Sequence, residues 1–150
     1  LTTSAWAVDE RGERVLLVYH KIYDSWSWVG GHADGEHDLA AVALRELEEE
    51  TGVAGARVVA ARGESPLLSL EALPVAGHVR RGAWVPSHTH LNVTYLVVAD
   101  AEAPLRVAPD ENSGVRWAPL DDIRRLSTEA WMCEHVYAKL IGRTRALLGK

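Results

Sequence analysis

The 150-residue chain is 47% hydrophobic and 25% charged, and it carries a formal net charge of −5 at pH 7. This length fits one domain spanning residues 1–150, and the ordinary composition excludes a disordered or low-complexity polymer. The acidic balance disfavours binding to a nucleic acid polymer, which needs a basic face, but it permits a small anionic ligand held through a metal ion.

The first half of the chain is predicted to form strands followed by one helix. Strand-like runs rich in Val, Leu, Trp and Tyr occupy residues 4–8, 14–20 and 26–29. A turn-prone Asp-Glu-Arg-Gly segment separates the first two runs, which predicts a hairpin. The third runs directly into Gly30-Gly31 and a polar loop over 32–37. Asp38 is a predicted N-cap, because apolar residues follow it at helical spacing up to the stop signal at Gly52.

The second half is predicted to contain further strands and two helices. Strand-like runs occupy residues 56–61, 67–73, 90–98 and 115–118. Residues 101–109 are a predicted loop or sheet edge, a short helix runs over 119–125, and residues 129–148 form a long amphipathic helix. Strands and helices follow one another without a regular βαβ rhythm. The order therefore predicts an α/β fold with a mixed β-sheet and helices on both faces.

Cysteine content and hydropathy indicate the cellular compartment in which the protein is expected. Cys133 is the only cysteine, so no intrachain disulfide forms, and a reducing cytoplasm is the expected location. No apolar run reaches the roughly 20 residues that span a bilayer. The start of the sequence lacks the basic and apolar regions of a signal peptide. We therefore expect no contact with a membrane.

An acidic segment over residues 45–52 carries most of the functional information. Glu46, Glu49 and Glu50 stand at i, i+3 and i+4, so they share one arc of roughly 100° on a helix, whereas Glu48 points the other way. A solvated charged face is the ordinary explanation of such a pattern. The other explanation is a cation site, because carboxylates this close repel one another and a hard cation such as Mg²⁺ or Mn²⁺ offsets that repulsion.

This segment and the loop before it resemble the Nudix box. The positions that match in order and spacing are Gly31, Arg45, Glu46, Leu47, Glu49, Glu50, Gly52 and Val53. Where the box has its first glutamate this sequence has His37, with Glu36 one residue earlier. The resemblance covers approximately residues 4–148. It implies the Nudix fold, an α/β/α sandwich with a mixed β-sheet in which the box forms a loop-helix-loop.

The resemblance also implies roles for the box residues. In that family the glutamates that match Glu46, Glu49 and Glu50 hold divalent cations, Mg²⁺ or Mn²⁺, which bridge substrate phosphates while water attacks a phosphorus. The arginine that matches Arg45 fixes the carboxylates, and its i, i+4 spacing to Glu49 agrees with that role. The same spacing is equally expected of an ordinary surface ion pair. At Gly31 the missing side chain lets the backbone approach the metal or phosphate.

Three residues outside the helix are expected near the same site. Gly30 matches the first glycine of the family's glycine pair, and His32 follows Gly31 directly. Glu111 matches a carboxylate that family members often add from a distant loop, just before a strand that carries tryptophan. The alternative for Glu111 is a solvated turn residue.

The identity of the general base is open. Glu49, Glu111 and His37 are candidates, since the family places this role differently in different members. If the loop is shifted by one residue, Glu36 supplies the missing carboxylate. If it is not, the site works with one fewer charge or with an imidazole.

Several other side chains are candidates for substrate recognition. His88 and His90 face one side of a strand by alternation and could bind phosphate or a softer metal such as Zn²⁺, or they are simply strand-end histidines. Trp28 or Trp84 could stack on a nucleobase, although most tryptophans lie in protein cores. The arginines at 80–81 could meet a phosphate, or they belong to a solvated loop.

The leading hypothesis is a metal-dependent hydrolase that cleaves a diphosphate linkage in a small nucleoside diphosphate derivative. Because His37 replaces a box glutamate, the alternative is a catalytically silent module that binds or senses a nucleotide. The isopentenyl diphosphate isomerase branch of the fold needs a cysteine in its cleft, and Cys133 is expected in the core instead. Many Nudix enzymes are dimers, so a homodimer is a further expectation.

Overall fold

Strands dominate the part of the chain that this computed structural model describes, residues 1–60 and 63–150. The strands are β1 (Thr2–Val8), β2 (Arg14–His20), β3 (Ser25–Ser27), β4 (Val29–His32), β5 (Arg57–Val58), β6 (Leu67–Val75), β7 (His78–Arg80), β8 (Ala83–Val85), β9 (His88–Val98) and β10 (Asn112–Pro119). The α-helices are α1 (Leu39–Thr51), α2 (Ile123–Leu126), α3 (Ala130–Met132) and α4 (Ala138–Leu148). A 3-10 turn, Leu120–Asp122, precedes α2, and a π-helical turn, Cys133–Tyr137, joins α3 to α4.

The main sheet is mixed, as predicted. Its central order is β10-β2-β1-β9-β5, while β3 pairs with β2, β4 with β1 and β6 with β9. Strands β1 and β9 run parallel, with Thr2 beside Asn92, and the other pairs in this sheet are antiparallel. The pairing of β4 with β1 sets Gly31 beside Thr3. That register positions the glycine pair at the end of the sheet where α1 begins.

Two apolar layers cover the two faces of this sheet. On one face, Ala43 and Leu47 of α1 pack with Ala5 and Ala7 of β1. On the other face, the C-terminal helical segments pack Val136, Tyr137 and Leu140 against Trp6 and Leu96. Successive residues of β1 and β9 alternate between the layers, as pleated strands require. The arrangement is an α/β/α sandwich, which confirms the expected fold.

Local signals at the ends of α1 act as predicted. The Asp38 carboxylate accepts a hydrogen bond from the Ala41 N–H at 3.0 Å, which caps the first turn. Gly52 adopts a left-handed conformation with φ of 78°, and its N–H donates to the Glu48 carbonyl oxygen at 2.8 Å. The 13-residue helix therefore begins and ends where the sequence indicates.

Other elements differ from the prediction. The strand expected at 26–29 is two strands, and the second continues through the glycine pair to His32 because β1 supplies hydrogen-bond partners there. The run at 56–61 contains a strand only at Arg57–Val58, and its last residue lies outside the described residues. The β7–β8 hairpin was not predicted. Among the described residues, no helix combines the length and apolar character needed to cross a membrane.

Candidate active site

The Glu46 carboxylate lies directly against the backbone of β4. A Cβ atom at position 31 would stand 2.6 Å from its Oε2 and 2.7 Å from its Oε1. Carbon and oxygen cannot approach so closely, so any side chain at Gly31 would push this carboxylate away. Glycine is thus required at position 31 for a steric reason that is independent of backbone flexibility. The Gly31 backbone and the Glu46 oxygens form one continuous surface.

The Glu50 carboxyl group is buried beside other acids. Its residue is 7% exposed, and burial together with Glu46, Glu111 and Glu49 raises its pKa to about 8. No cation or donor among the described residues lowers that pKa. Burial and the neighbouring Glu49 also raise the pKa of Glu46, although Arg45 partly offsets the effect. Acidic side chains that raise one another's pKa in this way are poised to accept a cation.

A buried asparagine brings Glu111 to these acids. Asn112 is fully buried, and its Nδ2 donates to the Glu50 carbonyl oxygen at 2.9 Å. The N–H groups of Glu111 and Asn112 both donate to the Ala108 carbonyl oxygen, at 2.9 and 2.8 Å, which fixes the turn before β10. Glu111 is exposed, yet its charge raises the pKa of both Glu46 and Glu50. Residues distant in the sequence therefore join one acidic cluster.

Arg45 pairs with Glu36, the residue next to the expected box position. Its Nη1 lies 2.6 Å from Glu36 Oε1, and its Nε lies 3.9 Å from Glu49 Oε1. His37 is exposed, and its carbonyl oxygen accepts the Leu39 N–H at 3.1 Å. The loop thus brings Glu36, the residue before His37, to the Arg45 side chain of the helix.

The donor set fits a hard divalent cation, since carboxylate and backbone oxygens are the ligands that Mg²⁺ and Mn²⁺ prefer. The steric gap at Gly31, filled by a carboxylate, and the uncompensated burial of Glu50 support such an ion. As the side chains stand, residues 1–60 and 63–150 hold no three carboxylate, imidazole or thiolate groups that converge tightly on one point. Binding an ion here therefore requires the carboxylates to rotate toward it.

A sequence model of the NUDIX domain matches residues 1–139 of this chain. The chain belongs to the Nudix family. A CMP-5'-(N-acetyl-N-hydroxy-3-aminopropyl)phosphonate hydrolase from Streptomyces rubellomurinus is 35% identical over 123 residues, which are 79% of this chain and 50% of that protein. The chain therefore spans about half the length of this curated relative.

Solved structures agree on the fold. A NUDIX-family hydrolase from Clostridium perfringens superposes with a TM-score of 0.65 at 18% identity, covering 97% of this chain and 96% of that one. An Ap4A hydrolase from C. elegans also gives a TM-score of 0.65, at 16% identity, covering 99% and 98% of the two chains. At these identities the likeness shows the shared Nudix fold.

Two of the predicted residues lie apart from the acidic cluster of this Nudix domain. A Cβ at Gly30 would stand 2.6 Å from the Thr3 carbonyl oxygen, so this glycine allows close strand packing. His32 alternates with Gly31 along β4 and faces the opposite side, where its ring meets His90 edge-on at 5.0 Å. His32 therefore belongs to a different group of side chains.

The remaining candidates divide between core and surface. Trp28 is 9% exposed and packs edge-on against Tyr137, with ring centroids 5.8 Å apart, which places it in the core. Cys133 is also buried in the core, as expected. Trp84, in contrast, is 67% exposed on β8. Asn112 was missed by sequence reasoning, and its place directly after Glu111 was the available signal.

Proposed function

We propose that this Nudix domain hydrolyses a diphosphate-type linkage in a small nucleoside diphosphate derivative, with a divalent cation bound at the acidic cluster. The observation that carries the proposal is the buried Glu50 carboxyl group, whose pKa is raised by burial and by Glu46 and Glu111 and lowered by no cation among the described residues, on the same helix as the Glu46 carboxylate that lies against the bare backbone of Gly31. A solvated charged face of a helix would not bury the Glu50 side chain, and it would not hold the turn at Glu111 against the Glu50 backbone. The proposed partner is a small nucleotide-type molecule, and the proposed compartment is the cytoplasm.

Each residue of the cluster has a proposed task. Glu46, Glu49, Glu50 and the Gly31 backbone hold the cation, Mg²⁺ or Mn²⁺. When bound, the cation supplies charge neutralisation on the phosphates and lowers the pKa of a coordinated water. Arg45 positions Glu49 through its side chain and does not itself touch the substrate.

The general base is chosen among exposed groups. Glu111 stands at the rim of the cluster, and Glu49 is only loosely paired with Arg45 at 3.9 Å, so either can accept a proton from water. His37 is exposed in the loop. We propose Glu111, because its loop is fixed by hydrogen bonds while its carboxylate is unpaired by any cation in the described residues. A Glu111→Gln variant should lose most of kcat, because the group that accepts the proton is gone, whereas His37→Gln should keep it.

The proposed substrate contains a nucleoside 5'-phosphate joined to a second phosphorus through oxygen. Support comes from the 35% identical relative, whose name gives a CMP-linked phosphonate as its substrate. The β7–β8 hairpin supplies recognition groups. Burial is the largest cause of the lowered pKa of His20, and the charge of Arg80 is the next. His20 is the strand partner of Asn112 where β2 pairs with β10. We therefore propose that Arg80 reaches a substrate phosphate and that Trp84 stacks on the base.

A panel assay tests the activity. Nucleoside triphosphates, dinucleoside polyphosphates, ADP-ribose, NADH, nucleotide sugars and CMP-linked phosphonates are incubated with Mg²⁺, and nucleotide release is measured. Activity should vanish in Glu50→Gln and remain in Glu48→Gln, a matched control because Glu48 is exposed on the same helix. Equal activity in wild type and Glu50→Gln would refute the proposed site.

The alternative of a silent binding module rested on His37 in place of the box glutamate. The 2.6 Å contact of Glu36 with Arg45 weakens that reason, since a carboxylate from the loop still pairs with the arginine. If the panel shows no turnover while a separate binding measurement detects one of its nucleotides, the binding module is favoured. The variant His37→Glu would then test whether the extra charge restores hydrolysis.

A further inference from the structure

Four histidines form a continuous group: His32, His88 and His90 lie on the face of the main sheet opposite the acidic cluster, and His78 comes from the separate β7–β8 hairpin. The ring of His90 lies 5.0 Å from that of His32 and 4.7 Å from that of His88, and His88 lies 6.3 Å from His78. These side chains come from β4, β7 and β9. Neither Glu46 nor Glu50 belongs to this group, which we call the histidine cluster.

The strand pairing explains why the rings meet. His88 and His90 stand at i, i+2 on β9 and so share one face. The pairing of β6 with β9 ends at Val75 and His88, and the chain then turns into β7, which begins at His78. His32 arrives from the other side, through the pairing of β4 with β1 and of β1 with β9.

Hydrogen bonds at Nδ1 orient two of the rings. Nδ1 of His88 lies 2.8 Å from the Pro86 carbonyl oxygen, and Nδ1 of His78 lies 3.0 Å from the Ala76 carbonyl oxygen. A carbonyl oxygen only accepts, so Nδ1 carries the proton in both rings and Nε2 keeps its lone pair. This pattern, with the backbone holding one ring nitrogen, is typical of metal-binding histidines.

The spacing of the two strand histidines matches a chelate. Nε2 of His88 lies 2.9 Å from Nε2 of His90. Two nitrogens bound to one zinc ion at about 2.0–2.1 Å are roughly 2.8–3.4 Å apart for bond angles between a right angle and the tetrahedral value, and the observed 2.9 Å lies near the right-angle end. Burial and the neighbouring His32 and His88 also lower the pKa of His90 to about 4, so its ring is uncharged at neutral pH.

We propose that the histidine cluster binds one Zn²⁺ ion through Nε2 of His88 and Nε2 of His90, with His78 as the third protein ligand. Without the ion, the Nε2 proton of His90 is shared with His88. When the zinc ion binds, that proton moves through solvent to Nδ1 of His90. The ring stays neutral, and the lone pair on its Nε2 becomes free to bind the ion. Because no trio already converges in the described residues, His78 must swing toward the pair. The ion then ties the β7–β8 hairpin to β9.

This inference does not rest on the proposed hydrolase function, because imidazole nitrogens and carboxylate oxygens select different metals. The test is calorimetric titration of the untagged full chain with Zn²⁺, in excess Mg²⁺ to occupy the acidic cluster. One equivalent should bind. Affinity should fall about 100-fold in His88→Gln/His90→Gln and at least about tenfold in His78→Gln. The control His135→Gln, which removes an exposed histidine on the C-terminal helical segment, should bind as wild type does.

Two further measurements separate the outcomes. Co²⁺ in place of Zn²⁺ should give visible d–d absorption bands in the wild type that disappear in the double variant, while circular dichroism reports that the variant is folded. Glu50→Gln should bind Zn²⁺ unchanged. The proposal is overturned if no stoichiometric Zn²⁺ binds, if the folded double variant keeps its affinity, or if Glu50→Gln loses it.

Discussion

Replacing Glu50 by glutamine should stabilise the metal-free protein at alkaline pH. The unfolded chain releases the Glu50 proton near the ordinary pKa of 4.5, whereas burial and the neighbouring acids hold it in the folded chain to about pH 8. Between these values the folded state binds more protons, so its stability falls as pH rises. Glutamine keeps the shape and cannot ionise, so Glu50→Gln removes this loss.

The size of the effect follows from the pKa. At about 1.4 kcal/mol per pKa unit, ionising Glu50 above pH 8 costs the fold on the order of 5 kcal/mol, an upper bound because side chains relax. For a domain of this length that corresponds to a melting temperature about 10 °C higher in Glu50→Gln at pH 9. Below pH 4.5 both states are protonated, and the two proteins should melt within a few degrees of each other.

Thermal and urea unfolding in EDTA, from pH 4 to pH 9, measures the difference. Glu48→Gln serves as the control, since Glu48 is exposed on the opposite side of the same helix, and its profile should follow the wild type within about 0.5 kcal/mol. Parallel profiles for wild type and Glu50→Gln would mean that Glu50 ionises freely in the folded chain, and the argument for an uncompensated buried carboxylate would be wrong.

Three further changes test the packing at the site and in the apolar layer on the other face of the sheet. Gly31→Ala should lower kcat at least about 100-fold with little change in the unfolding midpoint, because the new methyl group displaces the Glu46 carboxylate. An unchanged kcat in steady-state kinetics with Mg²⁺ would show that the position of this carboxylate does not matter for turnover. Asn112→Ala should cost about 1–3 kcal/mol in urea unfolding, since the Glu50 carbonyl oxygen loses its buried donor, and a smaller loss would mean that water replaces the amide. Leu140→Ala, at a fully buried position, should cost about 2–5 kcal/mol yet leave kcat unchanged at temperatures where the variant is folded; a lower kcat there would show that the core reaches the site.

The parts of the fold that depend on neighbouring residues could be predicted from the sequence. Asp38 and Gly52 act on the helix between them, so the bounds of α1 follow from local chemistry. The assignment of the chain to the Nudix family likewise depends on fixed spacing within one segment. The roles of the individual box residues remain predictions.

The parts that depend on distant pairing could not be predicted. Strand β4 continues through the glycine pair only because β1 lies beside it, and that extension turns His32 away from Gly31. In the box loop, Asp34 and Gly35 have positive φ values of 50° and 88°. This turn presents Glu36 to Arg45, whereas the linear spacing left Glu36 and His37 as alternatives and could not choose between them. Tertiary context decides these side chains.

The parallel pairing of β1 with β9 also has a consequence for how the chain acquires its fold. Thr2 pairs with Asn92, a separation of 90 residues, and β1 is the strand on which β2, β4 and β9 all assemble. The chain must therefore be synthesised as far as β9 before β1, the central strand, can pair with both of its neighbours, β2 and β9. Such non-local contacts slow folding, typically to milliseconds or seconds, and leave β1 exposed meanwhile. During synthesis, β1 is made before its partners β2, β4 and β9, yet it is among the last strands to be enclosed.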